Sequence, residues 1–126
     1  MPKKFTSKQQ KIGELGESVA EKYYKNRGYE IVERNYTRSI GEIDIIARKD
    51  GTLYFIEVKS KRVSNVAGIE PGENMHVRKR IKIRKVILQY LLDHAKGESW
   101  QCDLAIVHLD MKTRLARVTV IENCIV

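Results

Sequence analysis

The sequence is poor in the residues that mark several classes of protein. Its 126 residues include only two cysteines, Cys102 and Cys124, which cannot form the disulfide framework of a small secreted domain. Two prolines and eight glycines exclude collagen-like and low-complexity chains. No apolar run approaches the roughly 18 residues that span a bilayer, and the polar start does not resemble a signal peptide. We therefore expect one cytoplasmic domain over residues 1–126, with a loose N-terminus at 1–5 and no membrane association.

The charge of the chain is large and unevenly spread. Lys and Arg number 24 against 16 Asp and Glu, which gives a formal net charge of +8. Residues 59–85 alone carry nine basic and two acidic side chains, and hence +7 of that excess. Such a concentration of positive charge favours a polyanionic partner, with nucleic acid first and anionic lipid second.

The hydrophobic periodicity and the turn residues predict seven elements. Ser7 with Gln10 forms a candidate capping box, and apolar residues then recur at helical spacing as far as Gly28. The predicted elements are this helix, strands at 29–34, 40–48 and 52–59, a helix at 76–95, and strands at 103–109 and 115–121. Residues 35–39 are predicted to be a connection and 60–75 a long mobile loop. The order α-β-β-β-α-β-β indicates an α/β domain with a mixed sheet flanked by helices.

A predicted hairpin brings two carboxylates together. With Asp50 and Gly51 as a two-residue turn, paired positions sum to 101, so that an apolar face contains residues 43, 45 and 47. The other face then sets Asp44 opposite Glu57, where like charges destabilise a sheet. Solvation, a shared proton or a divalent cation would each relieve the repulsion, and carboxylate oxygens suit Mg²⁺ or Mn²⁺.

The same register leaves a second interpretation open. Lys59 lies on the face of Glu57, where an ammonium group is placed to orient an attacking water or to stabilise a negative transition state. Glu42 opposite Lys59 could equally form a cross-strand ion pair, with Asp44 as a solvated acid, because antiparallel sheets often have one polar face. Hairpin geometry alone does not decide between these alternatives.

Several segments resemble known families. Asp44 followed by Glu57-Val58-Lys59 resembles the D-x(n)-E-x-K core of the PD-(D/E)XK, or restriction-endonuclease-like, nuclease superfamily. Over nearly the whole chain the sequence resembles the YraN family, which is similar in pattern to archaeal Holliday-junction resolvases. The segments that carry this second resemblance are Gly13–Ala20, Gly28–Asn35, Gly41–Ala47 and Phe55–Ser60.

The resemblance implies a restriction-endonuclease-like fold and a metal-dependent phosphodiesterase. Asp44 and Glu57 would bind Mg²⁺ or Mn²⁺ together with the Val58 carbonyl. Lys59 would be the catalytic lysine, and Glu17 would be the additional acid that the superfamily often supplies from its first helix and a further ligand of the metal. Ile43 stands where the motif's name has a proline, a departure that is common in the superfamily. The implied reaction is endonucleolytic hydrolysis of DNA.

The basic segment supplies candidate contacts to nucleic acid. Residues 78–85 include six basic side chains, and these follow the predicted active strand. The predicted contacts are Arg78, Lys82, Lys85 and Gln89 along one helix stripe, with Lys61 and Arg62 at the mouth of the site. Contacts of this kind read phosphates rather than bases, so that structure-selective or nonspecific binding, including binding of branched DNA, is expected.

Other readings of the same residues remain open. A noncatalytic nucleic-acid-binding module would keep the fold without turnover, and an interaction protein would use the basic helix to bind an acidic partner. Two-fold-related substrates are compatible with a homodimer. The three histidines, His76, His94 and His108, do not share a metal-ligand spacing, and we expect ordinary surface, helix-end and strand positions for them.

Overall fold

A computed structural model describes residues 8–66, 77–94 and 97–124, and for residues 77–82 it describes the backbone alone. The elements are α1 (Lys8–Asn26), β1 (Glu30–Arg38), β2 (Gly41–Lys49), β3 (Thr52–Arg62), α2 (Val77–His94), β4 (Ser99–Asp110) and β5 (Leu115–Ile121). This confirms the predicted order of helices and strands. The predicted cap at Ser7, residues 1–5 and part of the predicted loop, 67–75, lie outside the described residues.

The five strands form one mixed sheet in the order β1-β2-β3-β4-β5. Strands β1, β2 and β3 are antiparallel neighbours, β3 and β4 are parallel, and β5 returns antiparallel to β4. The parallel pair requires a crossover connection, and α2 lies within that connection. Among the described residues, neither helix combines the length and apolar character that a membrane span requires.

Each face of the sheet is covered by one helix. The α1 side buries Ala20 and Tyr24 against β2, β3 and β4 residues such as Ile45 and Ile56. The α2 side buries residues of α2 such as Val86 and Tyr90 against the opposite face of the same strands. A sheet that is apolar on both faces leaves few positions for charged groups, so the buried carboxylates within it need a separate explanation.

The β2–β3 hairpin has the predicted turn. Asp50 and Gly51 have φ values of 50° and 78°, as a two-residue turn with two left-handed residues requires. The ladder confirms the predicted register over five pairs, which run from Lys49–Thr52 at the turn to Ile45–Ile56.

One prediction about this hairpin is wrong. Ile43 was expected on the face of Ile45, yet Ile43 packs in the core on the α2 side and Ile45 in the core on the α1 side. Alternate residues of a regular strand share a face. The regular alternation of side chains along β2 is therefore interrupted at Asp44, between these two residues.

The alternation of side chains along β1 is interrupted opposite the same point of β2. Arg34 reaches glutamates of α1, whereas Tyr36 is buried on the α2 side, although the two residues are paired with Ile45 and Ile43 of β2. Between them, Asn35 has a φ of 53°, a left-handed conformation that asparagine adopts more readily than most residues.

The predicted limits of two strands are corrected by this geometry. Residues 35–38 were predicted to be a connection but belong to β1, because a single left-handed residue bends the strand without ending it. Strand β3 likewise continues beyond Lys59 to Arg62, where each residue is paired with β4. The predicted loop from residue 60 therefore begins later, and its first residues are strand.

Candidate metal and nucleic-acid site

Strands β2 and β3 part at the point where the two acidic residues of the motif lie. The pairs of the β2–β3 ladder end at Ile45–Ile56, so that Asp44 and Glu57 are not a directly paired couple as predicted. Instead, the Asp44 Oδ2 atom accepts a hydrogen bond of 2.8 Å from the backbone N–H of Val58. The carboxylate thus takes the place of a backbone acceptor where the strands separate, which fixes it beside the motif segment of β3.

The segment 57–59 presents its side chains on alternate faces of β3. Val58 packs on the α1 side, as Ile56 does, so that Glu57 and Lys59 point to the α2 side. Glu57 is only 5% exposed and Asp44 8%, whereas Lys59 is exposed. Two carboxylates this deeply buried are costly unless a cation or hydrogen-bond donors compensate them.

Helix α1 approaches this point through a glycine. A methyl group at Gly16 would overlap the side chain of Ser60 on β3, so that only glycine permits the observed approach. The adjacent residue, Glu17, is thereby held above the diverging strands. Glu17, Gly13 and Val58 line a cavity of about 480 Å³ between α1 and β3.

The electrostatic environment of Glu17 is unfavourable for its charged form. Burial and the nearby charge of Asp44 raise the pKa of Glu17, and Glu42 adds a smaller effect in the same direction. A hydrogen bond of 3.3 Å from Arg34 Nη2 to Glu17 Oε1 opposes them without cancelling them. Arg34 also donates to Glu21 through Nη1 at 2.7 Å, so that its charge is divided between two carboxylates.

The donor chemistry around Asp44 suits a hard divalent cation. Asp44 and Glu57 offer carboxylate oxygens and Val58 offers a backbone carbonyl, whereas Glu17 lies in the cavity on the α1 side of the sheet, where the charge of Asp44 acts on it. Within the described part of the chain, no group of three or more His, Cys, Asp or Glu side chains is gathered closely enough to hold a metal by itself. A cation here would therefore take two carboxylates and complete its shell from backbone, water or substrate, as Mg²⁺ commonly does.

Basic side chains line the openings on both sides of this region. Arg62 and Lys8 line the cavity that also contains Glu17. Lys85 of α2 and Glu42 of β2 line a second opening, of about 470 Å³, at the β1–β2 turn. Two cations of the range 59–85, Arg62 and Lys85, thus lie at openings that are also lined by acidic residues.

The remaining predicted contacts have different positions. Lys61 and Arg62 were expected together at the mouth of the site, yet only Arg62 lines the cavity next to Glu17. Lys61 is paired with His108 on β4 and its charge acts on that side chain. Gln89 is exposed on α2, and Arg78 and Lys82 belong to α2 with side chains outside the described residues.

Comparison with known sequences identifies the family. The model of the Uncharacterised protein family UPF0102, which is the YraN family, matches residues 16–121. The chain belongs to this family. It is 38% identical over 114 residues to a UPF0102 protein of Alkaliphilus oremlandii, a match that covers 90% of this chain and 96% of that protein. A UPF0102 protein of Moorella thermoacetica is 37% identical over 120 residues, covering 94% and 98% of the two chains.

A third relative shows similar agreement over a shorter range. The UPF0102 protein of Campylobacter lari is 42% identical over 99 residues, which cover 79% of this chain and 85% of that protein. The UPF0102 match begins at Gly16 and includes Glu17, Asp44, Glu57 and Lys59.

Sequence reasoning missed two residues that shape the site of this UPF0102 chain. Arg34 lies in β1, 17 positions from Glu17, and no periodicity relates the two. Ser60 was assigned to a loop, although it is the residue against which Gly16 packs. Gly13, one turn before Gly16 on the same helix, has open space around it and takes no part in this contact.

Proposed function

We propose that this UPF0102 family member is a metal-dependent endonuclease that hydrolyses phosphodiester bonds in DNA. The observation that carries the proposal is the hydrogen bond from the Val58 N–H to Asp44 Oδ2 where β2 and β3 separate. It fixes a buried carboxylate beside Glu57 and next to the backbone that bears Lys59. Two buried acids can hold a divalent cation, and the neighbouring lysine supplies a positive charge for the hydrolysis of a phosphodiester.

Each residue has a separate role in the proposed reaction. Asp44, Glu57 and the Val58 carbonyl would hold Mg²⁺ or Mn²⁺, which when bound polarises the phosphate and lowers the pKa of a bound water. Lys59 orients the attacking water and offsets the negative charge that develops on the phosphate oxygens. Glu17 accepts hydrogen bonds from water at the metal site, and Arg34 keeps its carboxylate from turning away.

The proposed substrate is DNA that is recognised by backbone and shape. Arg62 and Lys8 at the cavity, with Lys85 at the second opening, support contacts to phosphates on both sides of the acidic residues. Since phosphate contacts carry no base information, we expect cleavage that depends on structure, such as branches or flaps, rather than on a target sequence.

A cleavage assay tests the proposal directly. The protein is incubated with branched, flapped, single-stranded and duplex DNA in Mg²⁺, in Mn²⁺ and in EDTA. We expect cleavage with either metal, none in EDTA, and a loss of about 10²–10³-fold in rate for Asp44→Asn and for Lys59→Ala.

Two variants serve as matched controls. Asp50→Asn removes an exposed carboxylate from a turn whose left-handed conformation asparagine tolerates, and Lys22→Ala removes an exposed lysine from α1. Both should retain the full rate. Cleavage that persists in Asp44→Asn and Lys59→Ala would refute the proposal, and salt-sensitive binding without any cleavage would favour the noncatalytic binding module instead.

A further inference from the structure

Three residues of neighbouring strands form a basic row on the α2 side of the sheet. Lys61 of β3 is paired with His108 of β4, and His108 is paired with Arg117 of β5. Paired residues of adjacent strands point to the same face, and Leu104 and Ile106 of β4 place that face on the α2 side. The row therefore crosses three strands with a histidine between two cationic side chains.

His108 is an unusual residue to find in that position. Its side chain is only 6% exposed, and its Nδ1 atom is buried without a hydrogen-bond partner among the described residues. Burial lowers the pKa of His108, and the charges of Lys61 and Arg117 lower it further. A buried donor or acceptor without a partner costs stability, so that an apolar residue would serve better if packing were the only role.

An anion would resolve both features at once. A group with several acceptor oxygens beside Lys61 and Arg117 would be attracted by both cations and would give the ring nitrogen of His108 a partner. A phosphate has this chemistry, and the arginine of the row is the side chain that matches its geometry best.

The row also lies close to the candidate site. Lys61 is two residues beyond Lys59 on the same face of β3, a separation of roughly 6.6 Å at the rise of an extended strand. A group bound at the row would thus be a neighbour of the phosphate at Lys59 rather than the same phosphate.

We propose that Lys61, His108 and Arg117 form a binding site for a phosphate group, and that this group is a backbone phosphate of the bound nucleic acid adjacent to the one that is cleaved. The second part rests on the proposed nuclease function, whereas the first does not. The site would hold the nucleic-acid strand in register beside Lys59. It adds His108 and Arg117 to the contacts that the basic segment suggests.

Nuclear magnetic resonance of the histidine ring nitrogens tests the site. The ¹⁵N-labelled full chain is titrated with inorganic phosphate and, separately, with a short DNA duplex in EDTA, so that no cleavage takes place. We expect both titrants to shift the His108 ring resonances. In Arg117→Ala the dissociation constant for the duplex should rise about threefold to tenfold, and the slope of log affinity against log salt should fall by about 1.

Lys112→Ala is the matched control, because Lys112 is an exposed cation of the neighbouring turn that is not part of the row. It should leave both the His108 resonances and the duplex affinity unchanged. An unshifted His108 with both titrants, or equal shifts in the wild type and Arg117→Ala, would overturn the site. A shift with phosphate but not with duplex would overturn its assignment to the nucleic-acid backbone.

The cleavage assay and the titrations together distinguish a failure of this site from a failure of the nuclease proposal. Cleavage by a protein whose His108 responds to neither titrant overturns the site and leaves the nuclease proposal standing. A phosphate response that depends on Arg117, in a protein that cleaves none of the four DNA forms, supports the site and overturns the nuclease proposal.

Discussion

Glu17 is a residue whose position opposes its own ionisation. Burial is the largest cause of its raised pKa, followed by the charge of Asp44, while Arg34 supplies only part of the compensation. A carboxylate in this state is ready to gain from a nearby cation, because the cation removes the repulsion that the fold imposes. The Glu17 side chain thus lowers the stability of the folded protein and, in the proposed function, contributes to the metal site.

Replacing Glu17 should therefore stabilise the protein while impairing cleavage. Because the pKa is higher in the folded state, the wild type loses stability as pH rises from the ordinary value through the raised value, whereas Glu17→Gln has no such loss. We expect the two proteins to melt at similar temperatures near pH 4 and the variant to melt roughly 2–4 °C higher at pH 7 without metal. Thermal denaturation at several pH values measures the difference.

Glu14→Gln is the control for this prediction, since Glu14 is exposed on the same helix. It should change the melting temperature little at either pH. A variant Glu17→Gln that melts below the wild type at pH 7 would contradict the account of Glu17 given above.

At the scale of elements, the contact between α1 and β3 controls where Glu17 lies. Gly16 is buried and packs on the side chain of Ser60, which sets the height of the helix above the sheet. Arg34 then connects the same helix to β1 through Glu17 and Glu21. Contacts with β3 and β1 thus fix the position of α1, and with it the position of Glu17.

Substitution of two glycines in α1 should have opposite effects on stability. Gly16→Ala would force its methyl group into Ser60, and we expect the free energy of unfolding to fall by about 1–3 kcal/mol. Gly13→Ala meets open space, and the greater helix propensity of alanine should raise the free energy of unfolding by about 0.5–1 kcal/mol. Urea denaturation of both variants tests the pair, and equal destabilisation would show that helix packing at Gly16 is not the cause.

Local sequence predicted most of the helices and strands, but it did not predict the interrupted alternation within β1 and β2. The turn at Asp50-Gly51 sets the hairpin register by local chemistry, and the predicted register agrees with the observed pairs up to Ile45–Ile56. At Asn35 and Asp44 the side chains change face, so that Ile43 and Ile45 pack in cores on opposite sides of the sheet. Alternation within one strand carries no sign of such a change, and the prediction for Ile43 failed for that reason.

At the scale of the whole molecule, the net positive charge of the chain is concentrated in one range of the sequence. Residues 59–85 hold +7 of the net charge of +8, and Arg62 and Lys85 of this range line openings beside Glu17 and Glu42. Placement rather than total charge should therefore govern the affinity for DNA, because only cations near the bound strand release counterions.

Two lysine variants of equal net charge separate placement from total charge. We expect Lys85→Ala to weaken binding of a DNA duplex and to lower the slope of log affinity against log salt by about 1. Lys22→Ala, on α1, should leave the slope unchanged. Fluorescence anisotropy over a range of salt concentrations measures both, and identical slopes for the two variants would mean that binding depends on total charge alone.

The sequence by itself determined the order of the elements, the hairpin register and the Asp44, Glu57 and Lys59 motif, because each depends on periodicity, turn chemistry or close spacing. The tertiary structure decided how these side chains are arranged. It replaced the expected Asp44–Glu57 pair with a bond from Val58 to Asp44, and it brought Arg34 to Glu17. It also placed His108 between Lys61 and Arg117. These contacts join residues of separate elements, and only the pairing of the strands and the packing of α1 on the sheet bring such residues within reach of one another.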